Sequence, residues 1–184
     1  MSRAVPASFL DPMLCLATAK LPESTDWQCE VQLDGYRAVG IKTGSEVQLR
    51  SRNNNDFAGR YPAIAKALPA LPKETVVDGE IVAFDEAGRP SFNKLQNYGS
   101  SHGPIFYYGF DLLMLSGRDV RPEPLHVRRE MLETKVLTKL DEPIRYSPAL
   151  EGRLDDLIVS LRKQKCSAQI VFNLTCARRP LKLF

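Results

Sequence analysis

The sequence predicts an α+β domain, and three kinds of segment lead to that prediction. Between Trp27 and Ser51, apolar and polar residues alternate with the two-residue period of strands that have one exposed face. The nearly continuous apolar run Ile105–Leu115 is typical of a buried strand. Apolar residues at helical spacing in His126–Leu137 and Arg153–Gln164 indicate amphipathic helices. Together these segments predict antiparallel sheets flanked by helices.

Turn residues divide the strand-rich segments. Tight turns at Asp34-Gly35 and at Thr43–Ser45 predict an antiparallel meander of three strands from Trp27 to Ser51. The segment Glu74–Asp85 predicts either a strand pair or a single bulged strand, with a kink at Gly79. Near the end of the chain, "AQIVFNLT" (168–175) is compatible with one more strand.

Two short helices are expected between the strands. In "RYPAIAKAL", Arg60–Leu68, Pro62 stands in the first turn, where the missing N–H of proline costs nothing. Ser91 is a good N-cap for a helix over "SFNKLQN", because its hydroxyl can accept a hydrogen bond from a free backbone N–H.

Length and composition predict a cytoplasmic protein of one domain, or of one domain and a fragment. The chain has 184 residues, 43% hydrophobic and 26% charged, which is ordinary for a globular domain. It lacks an apolar run of the roughly 20 residues that cross a bilayer, and its start does not resemble a secretory signal. The four cysteines have no Cys-x-x-Cys spacing, which argues against a zinc site.

The last 20 residues differ in charge composition from the rest. Lys165–Phe184 contains four basic residues and no acid, whereas the remainder is close to neutral. Such a basic end hints at a polyanionic partner, although a few solvated positive charges are the plainer reading. Its apolar residues predict packing against the domain, self-association or poor solubility.

Several polar residues and one aromatic residue are candidates for a site at strand ends and turns: Glu30, Gln32, Asp34, Arg37, Arg52, Asp78, Glu80 and Phe110. The two arginines are suited to phosphates through charge-assisted hydrogen bonds. Glu80 is suited to a ribose hydroxyl or to Mg²⁺, and Phe110 to stacking on a base. By residue type alone this is a weak hypothesis of a nucleotide site, because charged strand ends are commonly ordinary surface.

Four sequence blocks, in a fixed order, are far more specific. "VQLDGYR" resembles the Lys-x-Asp-Gly-x-Arg signature of covalent nucleotidyltransferases, and "LRSRNNNDF" resembles the arginine-containing segment that follows it in DNA ligases. "VVDGEIVAFDEAGRPSFNKLQN" is similar to their Asp-Gly-Glu motif, and "FYYGFDLLMLSGRDVRPEPLHVRREML" to the next ligase motif and its helix. Over about Asp11–Gln164 the chain is identified as a member of the ATP-dependent DNA ligases, and it resembles the ligase domain of bacterial end-joining enzymes.

The resemblance implies an ATP-grasp-like adenylation fold, a role in DNA repair or recombination, and a function for each matching residue. Arg37 would contact the ribose or the nicked strand, and Arg52 a phosphate. Glu80 would hold the ribose or a metal, and Phe110 would stack on adenine. Glu30 and the Pro12-Met13 segment would line the adenine pocket. ATP, Mg²⁺ and nicked or double-stranded DNA are the expected cofactors and partners.

One departure from the family pattern affects the residue that carries the first chemical step. Gln32 stands where the family has its nucleophilic lysine, whose amine attacks the α-phosphate of ATP. A carboxamide nitrogen has its lone pair delocalised into the carbonyl, so it is not a nucleophile under these conditions. We therefore expect this chain not to adenylylate itself.

A second departure lies at the C-terminus. The family continues with Glu-Gly-x-x-x-Lys, a Lys-x-Lys motif and an oligonucleotide-binding barrel. If "AQIVFNLT" takes the place of the first motif, Ser167 and Phe172 fall near the glutamate and lysine positions. We thus expect a truncated adenylation domain over 1–164, a divergent tail over 165–184 and no barrel. Three readings stay open: an adenylation domain unable to ligate, a pseudoenzyme that binds ATP or DNA noncovalently, and a remnant without function.

Overall fold

The fold is taken from a computed structural model that describes residues 5–13, 16–18, 27–99, 103–149, 169–174 and 181–183. Within these residues, ten strands form two sheets. Their bounds are β1 Leu16–Thr18, β2 Trp27–Gln32, β3 Tyr36–Thr43, β4 Glu46–Ser51, β5 Thr75–Ala83, β6 Ile105–Leu115, β7 Arg118–Asp119, β8 Ile144–Tyr146, β9 Gln169–Leu174 and β10 Leu181–Leu183. The smaller sheet has the order β1-β10-β9-β2. The larger has the order β4-β3-β5-β6-β7, and β8 pairs in parallel with β6.

The predicted meander is correct for β3 and β4 but wrong for β2. β3 and β4 form the expected hairpin, whereas β2 pairs antiparallel with β9, with Gln32 opposite Gln169. The Asp34-Gly35 corner therefore connects the two sheets. A Cβ on Gly35 would lie 2.3 Å from the Ile81 carbonyl oxygen, so this corner packs tightly against β5. An Asp-Gly pair marks a tight corner but does not say which strand follows as partner.

The Asp-Gly-Glu segment forms the single strand β5, not a strand pair, and the additional residues in its pairing with β6 lie on β6. The register of β5 against β6 places Gly79 opposite Gly109 and Asp78 opposite Asp111, which leaves Phe110 as the additional residue of a bulge. A Cβ on Gly79 would lie 2.5 Å from the Tyr108 carbonyl oxygen, so only glycine fits between Asp78 and Glu80. The buried strand predicted for the 105–115 run is confirmed as β6.

The helices follow the sequence closely. α1 spans Pro62–Ala67, and α2 spans Phe92–Gln96, with the Ser91 hydroxyl accepting from the Lys94 N–H at 3.4 Å. α3 spans Leu125–Met131 and continues through a π turn and a 3₁₀ turn to Lys139. The helix expected over 153–164 lies outside the described residues. Within the described part of the chain, no helix has the length and apolar character needed to span a membrane.

The two faces of the larger sheet are covered differently. One face carries the main core, where Tyr107 and Leu112 pack with Ile64 of α1, Leu95 of α2 and Leu132 beyond α3. The opposite face has a smaller core formed by Val39, Ile41, Val76, Leu113 and Met114. The N-terminal residues Ala7, Phe9 and Leu10 cover that smaller core. On the face with the smaller core, polar residues occupy the end of the sheet away from that core. The predicted α+β class is confirmed.

Candidate functional site

One row of side chains across the larger sheet gathers residues that are distant in sequence. Arg37 on β3 lies opposite Glu80 on β5, Glu80 lies opposite Tyr108 on β6, and Tyr108 lies opposite Arg145 on β8. Directly opposite residues project from the same face of a sheet. Arg52 follows β4 at the end of the strand that borders the start of β3. The sheet register thus places three of the predicted residues, Arg37, Arg52 and Glu80, at one end of the sheet.

Arg37 is held by a buried carboxylate. Its Nε and Nη2 donate to Oδ1 and Oδ2 of Asp78 at 3.0 and 2.5 Å, and Asp78 is fully buried. Burial raises the pKa of Asp78, and the Arg37 guanidinium opposes that rise. The Arg37 guanidinium carbon also lies 5.2 Å from the Phe110 ring centroid. Asp78 is among the polar candidates of the sequence analysis, but only the side-chain hydrogen bonds in the structure show that it holds Arg37.

Glu80 is the carboxylate of the row, and its pKa is strongly perturbed. Burial raises the pKa of Glu80 to about 8, and the nearby Asp78 and Asp34 carboxylates add to that rise. Arg37 and the Gly35 N–H, which donates to the Glu80 carboxylate, oppose it without cancelling it. Glu80 is therefore largely protonated at neutral pH in the absence of a ligand. A bound cation or hydroxyl donor would favour the ionised form.

Phe110 and Asp111 are neighbours with opposite environments. Phe110 is partly buried and is the additional residue of the bulge, a feature that redirects side chains next to functional sites. Asp111 is buried and accepts two hydrogen bonds of 2.8 Å from Arg128 on α3. The fixed carboxylate of Asp111 therefore restrains the backbone that carries Phe110.

The remaining predicted residues differ in burial and in their partners. Glu30 is buried on β2 and forms an ion pair with Arg129 of α3, so it has a partner within the protein. Arg52 is exposed and makes no hydrogen bond or ion pair with other residues that the structure describes. Gln32 ends β2, three residues before Gly35. The side chain of Gln32 and the whole of Ser167 lie outside the described part, and Phe172 lies on β9 opposite Cys29.

A pocket of about 400 Å³ opens beside the bulge, with Asp111 in its lining. Met13, from the segment expected near the base, is among the residues that line it: Asp11, Met13, Asp111, Leu113, Asp119, Arg121, Pro122 and Arg128. Phe110 is absent from this lining, so the pocket adjoins the row without being part of it.

Mg²⁺ fits this arrangement only together with a ligand. Among the described residues there is no group of three or more side chains able to hold a metal ion. Magnesium commonly takes one or two carboxylates and completes its shell with substrate phosphates and water. The Glu80 carboxylate, with the Asp34 carboxylate near enough to raise its pKa, is the group that would hold the ion together with a nucleotide.

Comparison with known proteins agrees with this geometry. The family model of the ATP dependent DNA ligase domain matches residues 12–168. The chain belongs to the ATP-dependent DNA ligase family. It is 37% identical over 145 residues to the multifunctional non-homologous end joining protein LigD of Pseudomonas aeruginosa, covering 77% of this chain and 17% of that protein. To DNA ligase C1 of Mycolicibacterium smegmatis it is 34% identical over 146 residues, 71% of this chain and 42% of that protein.

Solved ligase structures share the fold. The ligase domain from M. tuberculosis LigD matches with a TM-score of 0.76 and 28% identity, over 95% of this chain and 60% of that one. A mycobacterial DNA ligase D complexed with ATP and MES matches with a TM-score of 0.73 and 26% identity, over 92% and 60%. The predicted resemblance to the adenylation domain of end-joining ligases is confirmed. The chain spans less than half the length of the two curated ligase relatives above.

Proposed function

We propose that this ligase adenylation domain binds ATP noncovalently and does not form the covalent adenylate with which ligation begins. The observation that carries the proposal is that Arg37, Glu80 and Phe110 are brought together while residue 32 is glutamine. The three neighbouring groups support noncovalent binding of a nucleotide, and the glutamine supports the loss of the nucleophile.

Each residue has a role in holding the nucleotide. Phe110 offers a ring for stacking on the base, and Glu80 offers a carboxylate to the ribose hydroxyls or to Mg²⁺. Arg52 is exposed at the end of β4 and can meet a phosphate. Arg37 retains its pair with Asp78 and adds positive charge beside Glu80. When bound, Mg²⁺ would neutralise phosphate charge. A solved relative is complexed with ATP, which supports nucleotide binding by this chain.

Gln32 removes the covalent step. The carboxamide can donate a hydrogen bond to a phosphate, but it lacks both the free lone pair of an amine and the positive charge of an ammonium. Lys42 stands ten residues further along, on β3 in the other sheet, and cannot take over the position. ATP would therefore be bound and released unchanged.

Binding of nicked or double-stranded DNA is a second candidate function, as a pseudoenzyme that competes with or assists an intact ligase. It is favoured by the four basic residues among the last 20 and by the ligase family itself. Sequence-independent phosphate attraction of this kind weakens steeply with added salt. DNA affinity that does not change between low and high salt would exclude it.

Calorimetric titration of the chain with ATP and Mg²⁺ tests the proposal. We expect saturable binding that Phe110→Leu weakens by about tenfold, since base–aromatic stacking contributes roughly 1–3 kcal/mol. Phe106→Leu on the same strand is the matched control and should leave the affinity unchanged. Absence of binding at millimolar ATP would reduce the ligase resemblance to ancestry and fold.

Intact-protein mass spectrometry tests the missing nucleophile. After incubation with ATP and Mg²⁺, we expect no species heavier by one AMP. The Gln32→Lys variant shows whether the remaining site can still support the covalent step. An adenylylated wild-type protein would overturn the proposal.

A further inference from the structure

Two adjacent arginines of α3 have no place in the proposed nucleotide site, yet both are buried. Arg128 is 4% exposed and Arg129 is 3% exposed. Consecutive residues of a helix point about 100° apart, so the two side chains leave α3 in different directions. A buried guanidinium is costly to desolvate and is retained where a carboxylate and further hydrogen bonds compensate it.

Arg128 reaches the larger sheet. It binds both oxygens of Asp111 at 2.8 Å and donates to the Glu123 carbonyl oxygen at 2.7 Å. Asp111 directly follows Phe110 and is the residue at which the register of β6 resumes after the bulge. The Arg128 pair therefore fixes the backbone from which the Phe110 ring projects.

Arg129 reaches the smaller sheet. Its Nη1 donates to the Glu30 carboxylate on β2, and its Nη2 donates to the Ser147 carbonyl oxygen at 2.5 Å. Its guanidinium carbon also lies 5.6 Å from the Tyr146 ring centroid. Tyr146 ends β8 of the larger sheet, so Arg129 ties β2 to the larger sheet two residues before Gln32.

We propose that Arg128 and Arg129 form an arginine clasp that sets the position of Phe110 relative to residue 32 across the two sheets. Both are positioning residues: Arg128 acts through Asp111, and Arg129 acts through Glu30. This assigns Glu30 to the clasp rather than to the base pocket expected from the family resemblance. The meaning of the clasp for nucleotide binding rests on the proposed function, but its test is performed on the protein without ligand.

Hydrogen exchange measured by mass spectrometry separates the clasp from a general contribution to stability. In Arg129→Met, amides of β2 and β9 should exchange about tenfold faster, while those of β5 and β6 stay unchanged, because only the smaller sheet is released. Emission of Trp27, the only tryptophan of the chain and the first residue of β2, should shift in parallel. Arg129→Lys should restore part of the protection.

Arg118→Met is the matched control. Arg118 is 68% exposed, and it pairs with the partly exposed carboxylate of Glu123 rather than with a buried one. It should leave both exchange patterns at the wild-type level. Equal acceleration in β2 and in β5 of Arg129→Met would mean global loosening and would overturn the clasp, as would unchanged exchange in β2.

A double-mutant cycle tests the specific pairing. Glu30→Gln and Arg129→Met each leave one buried charge without its counterpart, whereas the double variant removes both charges. The double variant should therefore exchange at β2 more slowly than the product of the two single effects predicts. An exchange rate of the double variant equal to that product would show that the two residues act independently, and it would contradict the proposal.

Nucleotide affinity gives the final readout. If the parent chain binds ATP, Arg129→Met should weaken binding by about tenfold without touching the ligand, since misplaced binding groups lose much of their interaction. A parent chain that does not bind ATP would refute the proposed function, and the exchange pattern would still decide whether the clasp exists.

Discussion

The arginine clasp and the row around Glu80 treat buried carboxylates in opposite ways. In the clasp, Asp111 pairs with Arg128 and Glu30 pairs with Arg129. Around Glu80, the carboxylates of Asp34 and Asp78 act on Glu80 together, and the Arg37 guanidinium that opposes them already pairs with Asp78.

The difference separates structural charge from functional charge. A carboxylate that pairs with a buried guanidinium needs no ligand to balance its charge, so the two pairs together can hold α3 against both sheets. Burial raises the pKa of Glu80 to about 8, and the Asp78 and Asp34 carboxylates add to that rise, so proton uptake balances the charge of Glu80 when no ligand is bound. Strongly perturbed groups of this kind concentrate at functional sites, because a ligand can supply the missing compensation.

The largest expected effect is the loss of one partner in the clasp. Arg128→Met leaves Asp111 buried without its counter-charge, so we expect the free energy of unfolding to fall by about 3–5 kcal/mol. Urea unfolding followed by circular dichroism measures it. The control is Arg121→Met, whose pair with Asp119 is exposed and should cost less than about 1 kcal/mol. Equal losses of unfolding free energy in the two variants would show that the buried Arg128–Asp111 pair contributes no more than an exposed one.

The second effect depends on pH. The pKa of Glu80 is about 8 in the folded protein and near 4.5 in the unfolded chain. The wild-type protein should therefore lose stability as pH rises from about 4.5 through 8, because folding opposes ionisation. Glu80→Gln should lack this loss and be more stable than wild type by roughly 1–3 kcal/mol at pH 9, as thermal unfolding across pH would show.

Glu86→Gln supplies the contrast for that experiment. Glu86 is exposed, and its hydrogen bond with Lys94 lowers its pKa, so removing its carboxylate should give no stabilisation in the same pH range. If Glu80→Gln and Glu86→Gln change the stability equally at every pH, the pKa of Glu80 is not raised by folding, and the comparison fails.

The smallest effect refines the electrostatics of the row. Asp34→Asn removes one of the charges that raise the pKa of Glu80, so the midpoint of its titration should move down by roughly half a pH unit. Carboxyl-carbon NMR of the titrating glutamate measures this midpoint. Asp141→Asn, an exposed change elsewhere on the surface, should leave it in place. An unchanged midpoint in Asp34→Asn would remove Asp34 from the site.

Local sequence patterns predicted local structure well. The run of apolar residues gave β6, Pro62 marked the start of α1, and Ser91 capped α2 as expected. These features depend on neighbours within a few residues, where turn chemistry and periodicity are decisive. The partner of β2 was not predictable in this way, since a strand separated from β9 by more than 130 residues leaves no local signal of the pairing.

The same limit applies to the site. The motif order named Arg37, Glu80 and Phe110, but not the carboxylate that holds Arg37 or the helix that holds Asp111. Arg128 and Arg129 are read in sequence as ordinary polar residues of an amphipathic helix, since charged helix positions are normally solvated. Their burial against Asp111 and Glu30 could not be inferred without the packing of α3.

By itself the sequence determined the ligase family, the α+β class and the absence of a lysine at residue 32, because these depend on residue identity and order. Only the tertiary structure decided which sheet β2 joins, that Phe110 occupies a bulge, and which carboxylates have their own guanidinium. Those features depend on contacts between residues far apart in the chain, where the free energy of a buried charge is set by the partner that folding brings to it.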